Sequence, residues 1–336
     1  MSFAAMLEQL RRHEDLTRDQ ATTFMGAVMD GQALPSQIGG VLMALALKGE
    51  RPAELVGFAR AMRERAVPLP VDAGDVFDTC GTGGDGAQTF NVSTAAAIVM
   101  AGAGVRVAKH GNRAVSSRCG SADVFEALGV RLEALPDQVA AALVEGLAFF
   151  FAPVWHPSMR HAGPTRRELG VRTAFNLLGP LTNPAGARRQ IVGVSRPEHT
   201  ALMARTLGDL GAERAWVVHG AGGLDELSTF GHTKVSELRD GTVKTFYVHP
   251  ADVDLPVATL ADLSGGSADE NAALILRLLD GEAGPRRDVV LFNAGAGLLV
   301  AGRVASLRDG VAMAADSIAT GRARQALERM KAIVAA

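Results

Sequence analysis

A glycine-rich stretch, GTGGDG at residues 81–86, holds a single carboxylate, that of Asp85, among four glycines. Glycines adopt positive φ readily and let a ligand approach the backbone without meeting a Cβ atom. Asn91, Ser93 and Thr94 follow, and a helix that begins there would direct free N–H groups and its positive dipole end toward phosphate. We therefore predict a phosphate-binding loop, although a tight turn with a good helix cap would use the same residue types.

This loop differs from the common nucleotide-binding motifs. No Lys-Ser/Thr pair follows it, as in a Walker P-loop, and its glycine spacing is not G-x-G-x-x-G. The carboxylate of Asp85 would repel a bare phosphate. The motif therefore favours a ligand that brings a bridging cation or donates hydroxyl groups, as a sugar phosphate does.

A second polar loop, KHGNRAVSSRCGS at residues 109–121, follows a predicted strand and precedes a predicted helix. Its cations, its asparagine and its serines could bind an anion and sugar hydroxyls. A solvated basic loop is the alternative, but the close spacing of His110, Gly111 and Asn112 favours a binding role.

Two further groups of residues could bind ligands. Asp225 and Glu226 follow a predicted strand and a glycine turn, and adjacent carboxylates suit Mg²⁺, although such pairs are most often solvated surface. Arg166, Arg167 and Arg172 lie close to Phe175 in sequence. An arginine for a carboxylate and an apolar wall for a ring would suit a small aromatic acid, whereas an ordinary amphipathic helix would also carry basic residues on its wet face.

The elements that must position these residues fall into two parts. Residues 1–66 are predicted to be helical throughout, with a capping box at Thr17 and Gln20, a second helix opened by Ser36, and a third that starts at Pro52 and ends at about residue 66. Beyond them, short apolar strands alternate with helices, which predicts an α/β domain with a central, mainly parallel sheet covered on both faces.

The predicted strands and helices can be given as ranges. The strands are 76–78, 105–108, 147–151, 190–194, 215–219 and 289–292. The helices are 93–103, 122–128, 136–145 and 198–210, with more from residue 269 onward. The dipeptide Asp240-Gly241 predicts a hairpin turn and a small antiparallel excursion.

Composition narrows the classes of function. The 336 residues include 34 basic and 36 acidic side chains, which gives a formal charge of −2. The chain therefore lacks the excess of basic charge that is typical of proteins that bind nucleic acid or membrane surfaces. The two cysteines, Cys80 and Cys119, predict neither a disulfide framework nor a zinc site and fit a reducing compartment. Glu8 in the apolar N-terminal stretch argues against a secretory signal, so we expect a cytoplasmic protein.

Taken together, these stretches resemble the anthranilate phosphoribosyltransferase family. The matching pieces are GTGGD (81–85), NVST (91–94), KHGNR with its SS and GSADV continuation (109–124), GVRTAFNLLGPLTNP (170–184) and GLDELS (223–228). They keep the family's order and cover essentially the whole chain. Two positions depart from the pattern: Cys119 stands where the family more often has serine, and Gly222 where an acidic residue is common.

The resemblance implies a small helical domain, residues 1–66 with 165–185 returning to it, and a larger α/β domain of residues 71–164 and 186–336. It implies an active site at the hinge between them and a homodimer formed through the helical domain. The near-balanced charge predicts no nucleic-acid or membrane partner. The substrates would be 5-phosphoribosyl-1-pyrophosphate and anthranilate, and Mg²⁺ the cofactor.

The resemblance also implies which residues bind each group. Mg²⁺ would be bound by Ser93, Asp225 and Glu226, and anthranilate by Gly81, His110, Asn112 and Arg166. The phosphoribosyl substrate would be bound by Gly81, Gly84, Asp85, Thr89, Asn91, Val92, Ser93, Thr94, Lys109, His110, Gly111, Asn112, Arg113, Ala114, Val115, Ser116, Ser117 and Ser121. No residue stands out as a general base. The alternatives are a pyrimidine nucleoside phosphorylase of the same fold, whose signature is not recognised here, and a non-catalytic relative that binds nucleic acid, which the charge disfavours.

Overall fold

Four helices precede the first strand in the computed structural model, which describes residues 2–114 and 118–335. They are α1 (Phe3–Arg11), α2 (Arg18–Met29), α3 (Pro35–Lys48) and α4 (Pro52–Arg63). The capping box is confirmed: Gln20 N donates to Thr17 Oγ1 at 3.2 Å and Thr17 N donates to Gln20 Oε1 at 2.7 Å. Two boundaries were wrong. The second predicted helix begins at Pro35 rather than Ser36, and the third ends at Arg63, because helix ends carry the weakest sequence information.

Seven strands form one sheet in the order β3-β2-β1-β4-β5-β6-β7. They are β1 (Phe77–Gly81), β2 (Val107–Gly111), β3 (Leu147–Phe151), β4 (Arg189–Gly193), β5 (Arg214–His219), β6 (Thr233–Arg239) and β7 (Thr242–Val248). The pairs among β1–β5 are parallel and those of β5 with β6 and β6 with β7 antiparallel, as predicted. Asp240 and Gly241, at φ 49° and 72°, form the expected hairpin turn.

Eleven further α-helices occur among the described residues, and one corrects a prediction. They are α5 (Val92–Gly102), α6 (Ser121–Ala127), α7 (Pro136–Val144), α8 (Ala152–Trp155), α9 (Gly163–Leu169), α10 (Phe175–Leu178), α11 (His199–Asp209), α12 (Ala268–Leu279), α13 (Pro285–Val300), α14 (Leu307–Ala319) and α15 (Arg322–Ala335). The strand predicted at 289–292 is wrong, since those residues lie inside α13. A short apolar run in a helix segment that is buried on every side has the pattern of a buried strand.

Two apolar clusters cover the two faces of the sheet. Trp216 and Val218 of β5 pack on the face that α5 and α12–α15 cover, whereas Ala215 and Val217 pack on the face that α11 and the N-terminal helices cover. This alternation follows from the two-residue period of a strand. No helix among the described residues is both long and apolar enough to cross a membrane.

Candidate active site

The glycine loop, residues 81–86, lies where the order of the strands reverses. β1 has β2 on one side and β4 on the other, and the helices that follow β1 and β4 pack on opposite faces of the sheet. In α/β sheets a crevice opens at this point and binds ligands. Thr82 N donates to Gly193 O across the two strand ends at 2.9 Å. The fold therefore places the loop at the edge where a ligand is expected.

Close backbone approach explains several of the glycines. Gly83 and Gly84 have φ of 64° and 73°, a region that disfavours any side chain. A Cβ atom on Gly81 would clash with the Asp225 carboxylate, and one on Gly193 would clash with the Asp225 backbone. The absence of side chains at these strand ends thus lets the segment that carries Asp225 lie directly against them.

Asp225 and Glu226 accept hydrogen bonds from the glycine loop and from the start of α5. They lie more than a hundred positions further along the chain than either segment. Gly83 N donates to Asp225 Oδ2 at 2.8 Å, and Ser93 N donates to Glu226 Oε1 at 3.2 Å. Burial, followed by the nearby Asp85 carboxylate, raises the pKa of Asp225 to about 7. Burial and the charge of Asp225 raise the pKa of Glu226 to about 8. The predicted pair is therefore a partly buried acidic pair whose pKa values are raised mainly by burial.

The start of α5 presents backbone N–H groups to the same crevice. Asn91 is the N-cap residue, but its side chain does not cap the helix. Its Nδ2 donates to Cys119 O at 3.1 Å, and its Oδ1 accepts from Asn271 Nδ2 at 3.0 Å. Thr94 is buried and its hydroxyl has no protein partner among the described residues. Val92 is also buried, and Thr89 forms an isolated bridge with the backbone of Ser264.

The second polar loop divides into a buried and an exposed part. Lys109 is almost fully buried, and its Nζ donates to Thr79 O at 2.5 Å and to Ser93 Oγ at 3.3 Å, so it reaches the start of α5. The exposed guanidinium of Arg113 instead pairs with Asp123 and Glu126 on α6, at 3.0 and 2.8 Å.

Other predicted members of that loop bond to each other. Ser121 Oγ donates to Asn112 O at 3.4 Å, and Asn112 Oδ1 accepts from the next backbone N–H at 2.8 Å. Ala114 N donates to Asp123 at 2.9 Å. Gly111 has no room for a Cβ atom, which would clash with Ser121 Oγ. Val115, Ser116 and Ser117 lie outside the described residues.

Two of the residues predicted to bind an aromatic acid, Arg166 and His110, lie beside α10. Arg166 lies over the ring of Phe175, with 4.9 Å from the guanidinium carbon to the ring centre, and burial lowers the pKa of Arg166. Its neighbour Arg167 is exposed. His110 Nδ1 lies 3.2 Å from Gly179 O, just after α10, while its Nε2 is buried without a partner among the described residues. Burial and the adjacent His156 lower the pKa of His110 to about 3, which keeps the ring neutral.

Three buried residues that the sequence analysis did not identify support these side chains. The carboxylate of Asp78 accepts from His110 N at 3.1 Å and from Asn183 Nδ2 at 2.8 Å. Asn271 accepts from Gly266 N at 2.8 Å while it orients Asn91. A carboxylate in an otherwise apolar strand was a usable clue for Asp78, whereas nothing local distinguishes Asn271.

Comparison with known proteins places the chain among glycosyltransferases. Residues 73–324 match the model of the "Glycosyl transferase family, a/b domain", and residues 4–66 match that of the "Glycosyl transferase family, helical bundle domain". The anthranilate phosphoribosyltransferase of Symbiobacterium thermophilum is 54% identical over 97% of this chain and 96% of its own length.

Two solved structures extend the comparison to three dimensions. The crystal structure of anthranilate phosphoribosyltransferase from Thermus thermophilus is 50% identical, with a TM-score of 0.93 over 98% of this chain and 99% of that one. The Saccharomyces cerevisiae enzyme in complex with PRPP and Mg is 27% identical, with a TM-score of 0.88 over 99% of both chains.

Proposed function

This chain belongs to the anthranilate phosphoribosyltransferase family, and we propose that the crevice described above carries its reaction. It transfers the phosphoribosyl group of 5-phosphoribosyl-1-pyrophosphate to the amino group of anthranilate, in L-tryptophan biosynthesis. The products are N-(5-phosphoribosyl)anthranilate and pyrophosphate. The observation that carries the site assignment is the bonding of both carboxylates, Asp225 and Glu226, to the glycine loop and the start of α5.

We propose that the phosphoribosyl substrate lies on the glycine loop, on the start of α5 and on the loop after β2. Positive φ at Gly83 and Gly84 and the N–H groups of α5 support this, because they offer donors without side chains in the way. Gly81, Gly84, Asp85, Thr89, residues 91–94, residues 109–117 and Ser121 remain the proposed contacts.

Mg²⁺ fits the residues that face the crevice. Asp225 and Glu226 are oxygen ligands whose pKa values are raised first by burial and then by a neighbouring carboxylate, and Ser93 adds a hydroxyl. Among the described residues no group of three or more His, Cys, Asp or Glu side chains encloses a metal ion. Mg²⁺ usually keeps several waters and binds through one or two carboxylates together with substrate phosphates. When bound, Mg²⁺ would neutralise part of the charge on the leaving pyrophosphate.

Anthranilate is proposed to bind beside Gly81, His110, Asn112 and Arg166. The guanidinium over Phe175 offers a cation for the carboxylate next to an apolar surface for the ring. His110 is neutral, so its free Nε2 can accept a hydrogen bond but is a weak base.

The chemistry needs little proton transfer from the protein. The C1–O bond to pyrophosphate breaks, the C1–N bond forms, and one proton of the amine leaves to water. Since an aromatic amine is already unprotonated near neutral pH, we propose that this chain contributes positioning and electrostatic stabilisation rather than a general base.

The proposed quaternary and domain arrangement has separate support. Leu34 and Leu47, at the two ends of α3, are 60% and 79% exposed, which suits a homodimer formed through the helical part. Phe175 and Leu178 share an apolar cluster with the N-terminal helices, which supports assigning residues 165–185 to the helical domain. We also propose a cytoplasmic location, because two cysteines 39 positions apart predict no disulfide framework and fit a reducing compartment.

The test is the loss of anthranilate fluorescence with 5-phosphoribosyl-1-pyrophosphate and Mg²⁺, with pyrophosphate release measured in parallel. We expect turnover with anthranilate and none with uridine or thymidine plus phosphate. Phosphorolysis of a pyrimidine nucleoside without anthranilate turnover would contradict the proposal. Sedimentation of the wild type and of Leu47→Lys tests the dimer, which the lysine should weaken.

A further inference from the structure

Arg172 reaches the glycine loop from outside the α/β sheet. Gly170, at φ 62°, ends α9, which carries Arg166 and Arg167. The chain turns at this residue, so Arg172 lies outside that helix. Arg172 Nη1 donates to Gly83 O at 2.8 Å, and Nη2 lies 3.5 Å from Thr82 O. The arginine therefore contacts the loop that is proposed to bind phosphate, rather than the surface around Phe175.

The guanidinium of Arg172 has unused capacity to bind an anion. It forms no ion pair among residues 2–114 and 118–335, since both hydrogen bonds go to backbone carbonyls. An arginine carries five N–H donors, so three remain. Burial lowers the pKa of Arg172, and the carboxylates of Asp225 and Asp85 act in the opposite direction. The side chain remains a cation.

The glycine at position 84 makes room for this cation. A Cβ atom there would clash with Arg172 Nη1, so the guanidinium lies directly against the loop backbone. Asp225 lies against the loop at Gly81. The loop thus has a guanidinium at one glycine and a carboxylate at another.

The charges in the crevice require a further cation. Pyrophosphate would bring several negative charges beside Asp85, Asp225 and Glu226, which repel it at short range. The Lys109 ammonium is buried and already bonded to Thr79 O and Ser93 Oγ. Arg113 is engaged by two carboxylates on α6. Among the described residues, Arg172 is the guanidinium that contacts the glycine loop without an acidic partner.

We propose that Arg172 binds the pyrophosphate group of the sugar substrate and stabilises the charge that develops on it as the C1–O bond breaks. Arginine suits this role because its planar fork matches phosphate oxygens and stays charged when half-buried. The inference rests on the proposed function. It gives different roles to three arginines that are close in sequence. Arg166 lies over Phe175 at the proposed anthranilate site, Arg167 is in solvent, and Arg172 would contact the leaving group.

The test compares Arg172→Lys, Arg172→Gln and Arg172→Ala with Arg167→Gln as the matched exposed control. Calorimetric titration of each purified protein with inorganic pyrophosphate and Mg²⁺ measures the Kd directly, without turnover. We expect Gln and Ala to raise this Kd and the KM for the sugar substrate about 10-fold or more and to lower kcat about 100-fold, as for lost transition-state donors. Lys should lie in between. The KM for anthranilate and the melting temperature should change little.

Two outcomes would overturn the assignment. If Arg172→Gln binds pyrophosphate as the wild type does, the charge of Arg172 is not used. If KM rises equally for both substrates while pyrophosphate affinity is kept, Arg172 only fixes the loop. Failure of the proposed function looks different: the wild type would then not consume anthranilate, whereas the pyrophosphate titration would still report on Arg172.

Discussion

One cleft lies at the amino ends of the parallel strands and another at their carboxyl ends. The side chains that line the two clefts carry opposite charges. At the amino ends, a cleft of about 800 Å³ lies beside the last turn of α5 and is lined by Arg106, Arg303 and Arg329 among others. At the carboxyl ends, the crevice beside the first turn of α5 holds Asp225 and Glu226 on a glycine backbone. The same helix therefore borders a basic cleft at one end and an acidic crevice at the other.

The difference shows why cleft volume is a poor guide to the proposed active site. The carbonyl end of a helix attracts cations, so the arginines complement α5, and Arg303 and Arg329 stay exposed to water. The acidic pair lies at the positive end of α5, but burial raises the pKa of both carboxyls above the usual range, helped by Asp85 at Asp225 and by Asp225 at Glu226. A group that is costly without a ligand indicates a binding site better than a large cleft does.

The sharpest test of this contrast replaces one glycine at each end. Gly84→Ala and Gly104→Ala place a Cβ atom on backbones of similar positive φ, 73° and 87°, so both should lose about 1 kcal/mol of stability. Only Gly84→Ala should also abolish turnover, by at least about 100-fold, because its Cβ displaces Arg172 and fills the loop. Steady-state kinetics with thermal melts distinguish the two. Equal activities would contradict the phosphate-loop assignment.

Neutralising the acidic pair should have the next largest effect. Asp225→Asn with Glu226→Gln keeps the shape but removes the proposed metal ligands, so turnover should fall about 100-fold and excess Mg²⁺ should restore little of it. The measurement is initial rate against Mg²⁺ concentration, with Glu145→Gln in the amino-end cleft as the control. Overlapping curves for the double variant and the wild type would mean that the metal binds elsewhere.

The same carboxyls should make stability depend on pH when Mg²⁺ is absent. Their ordinary pKa values are 3.8 and 4.5, and their folded values are about 7 and about 8. Between these limits the folded state binds more protons than the unfolded state, so the free energy of unfolding falls as pH rises, by at most about 1.4 kcal/mol per pH unit for each carboxyl. Denaturant unfolding from pH 5 to 8 checks this. The double variant should show a flatter profile, and an equally steep one would refute the cause given.

A smaller and more selective loss of activity is expected at the proposed anthranilate site, where Arg166 lies over Phe175. Arg166→Ala removes the cation over Phe175 and should raise the KM for anthranilate about 10-fold, with little change in the KM for the sugar substrate. Arg167→Ala, an exposed neighbour, should leave both constants unchanged. If Arg167→Ala raises the KM for anthranilate selectively instead, Arg167 rather than Arg166 is the anthranilate contact.

The smallest effect is expected in the basic cleft. Arg303→Ala with Arg329→Ala should cost at most about 1 kcal/mol of stability, because exposed charges near a helix end contribute little. Activity should stay within about twofold of the wild type. A loss above 10-fold in kcat/KM for the sugar substrate would show that the amino-end cleft takes part in function.

Residue types and spacing were enough to predict the parallel sheet, the position of the glycine loop between β1 and α5, and the hairpin at Asp240. Each of these leaves a local pattern. The strand predicted at 289–292 failed because α13 is apolar on every side there, so neither period shows.

What sequence could not predict depends on contacts between distant residues. Arg166, Arg167 and Arg172 looked like one basic cluster, but a single left-handed glycine, Gly170, sends Arg172 to the loop after β1. Asn271 donates a hydrogen bond to Asn91 from a distant part of the chain. The residues around each asparagine do not indicate that the two are paired. Such pairings arise from the tertiary packing, which local propensity does not encode.

The near-complete burial of α5 has a consequence for the order of synthesis and folding. Every residue of α5 except Ser93 is buried, and its covering is close: a Cβ atom on Gly102 would clash with Ala323, and Ser317 Oγ donates to Val99 O at 2.8 Å. Those covering helices leave the ribosome about 200 residues after α5. A nascent chain therefore carries an uncovered apolar helix through most of its synthesis, a state prone to aggregation. We expect truncations before α14 to be insoluble, although all the proposed substrate contacts precede that helix.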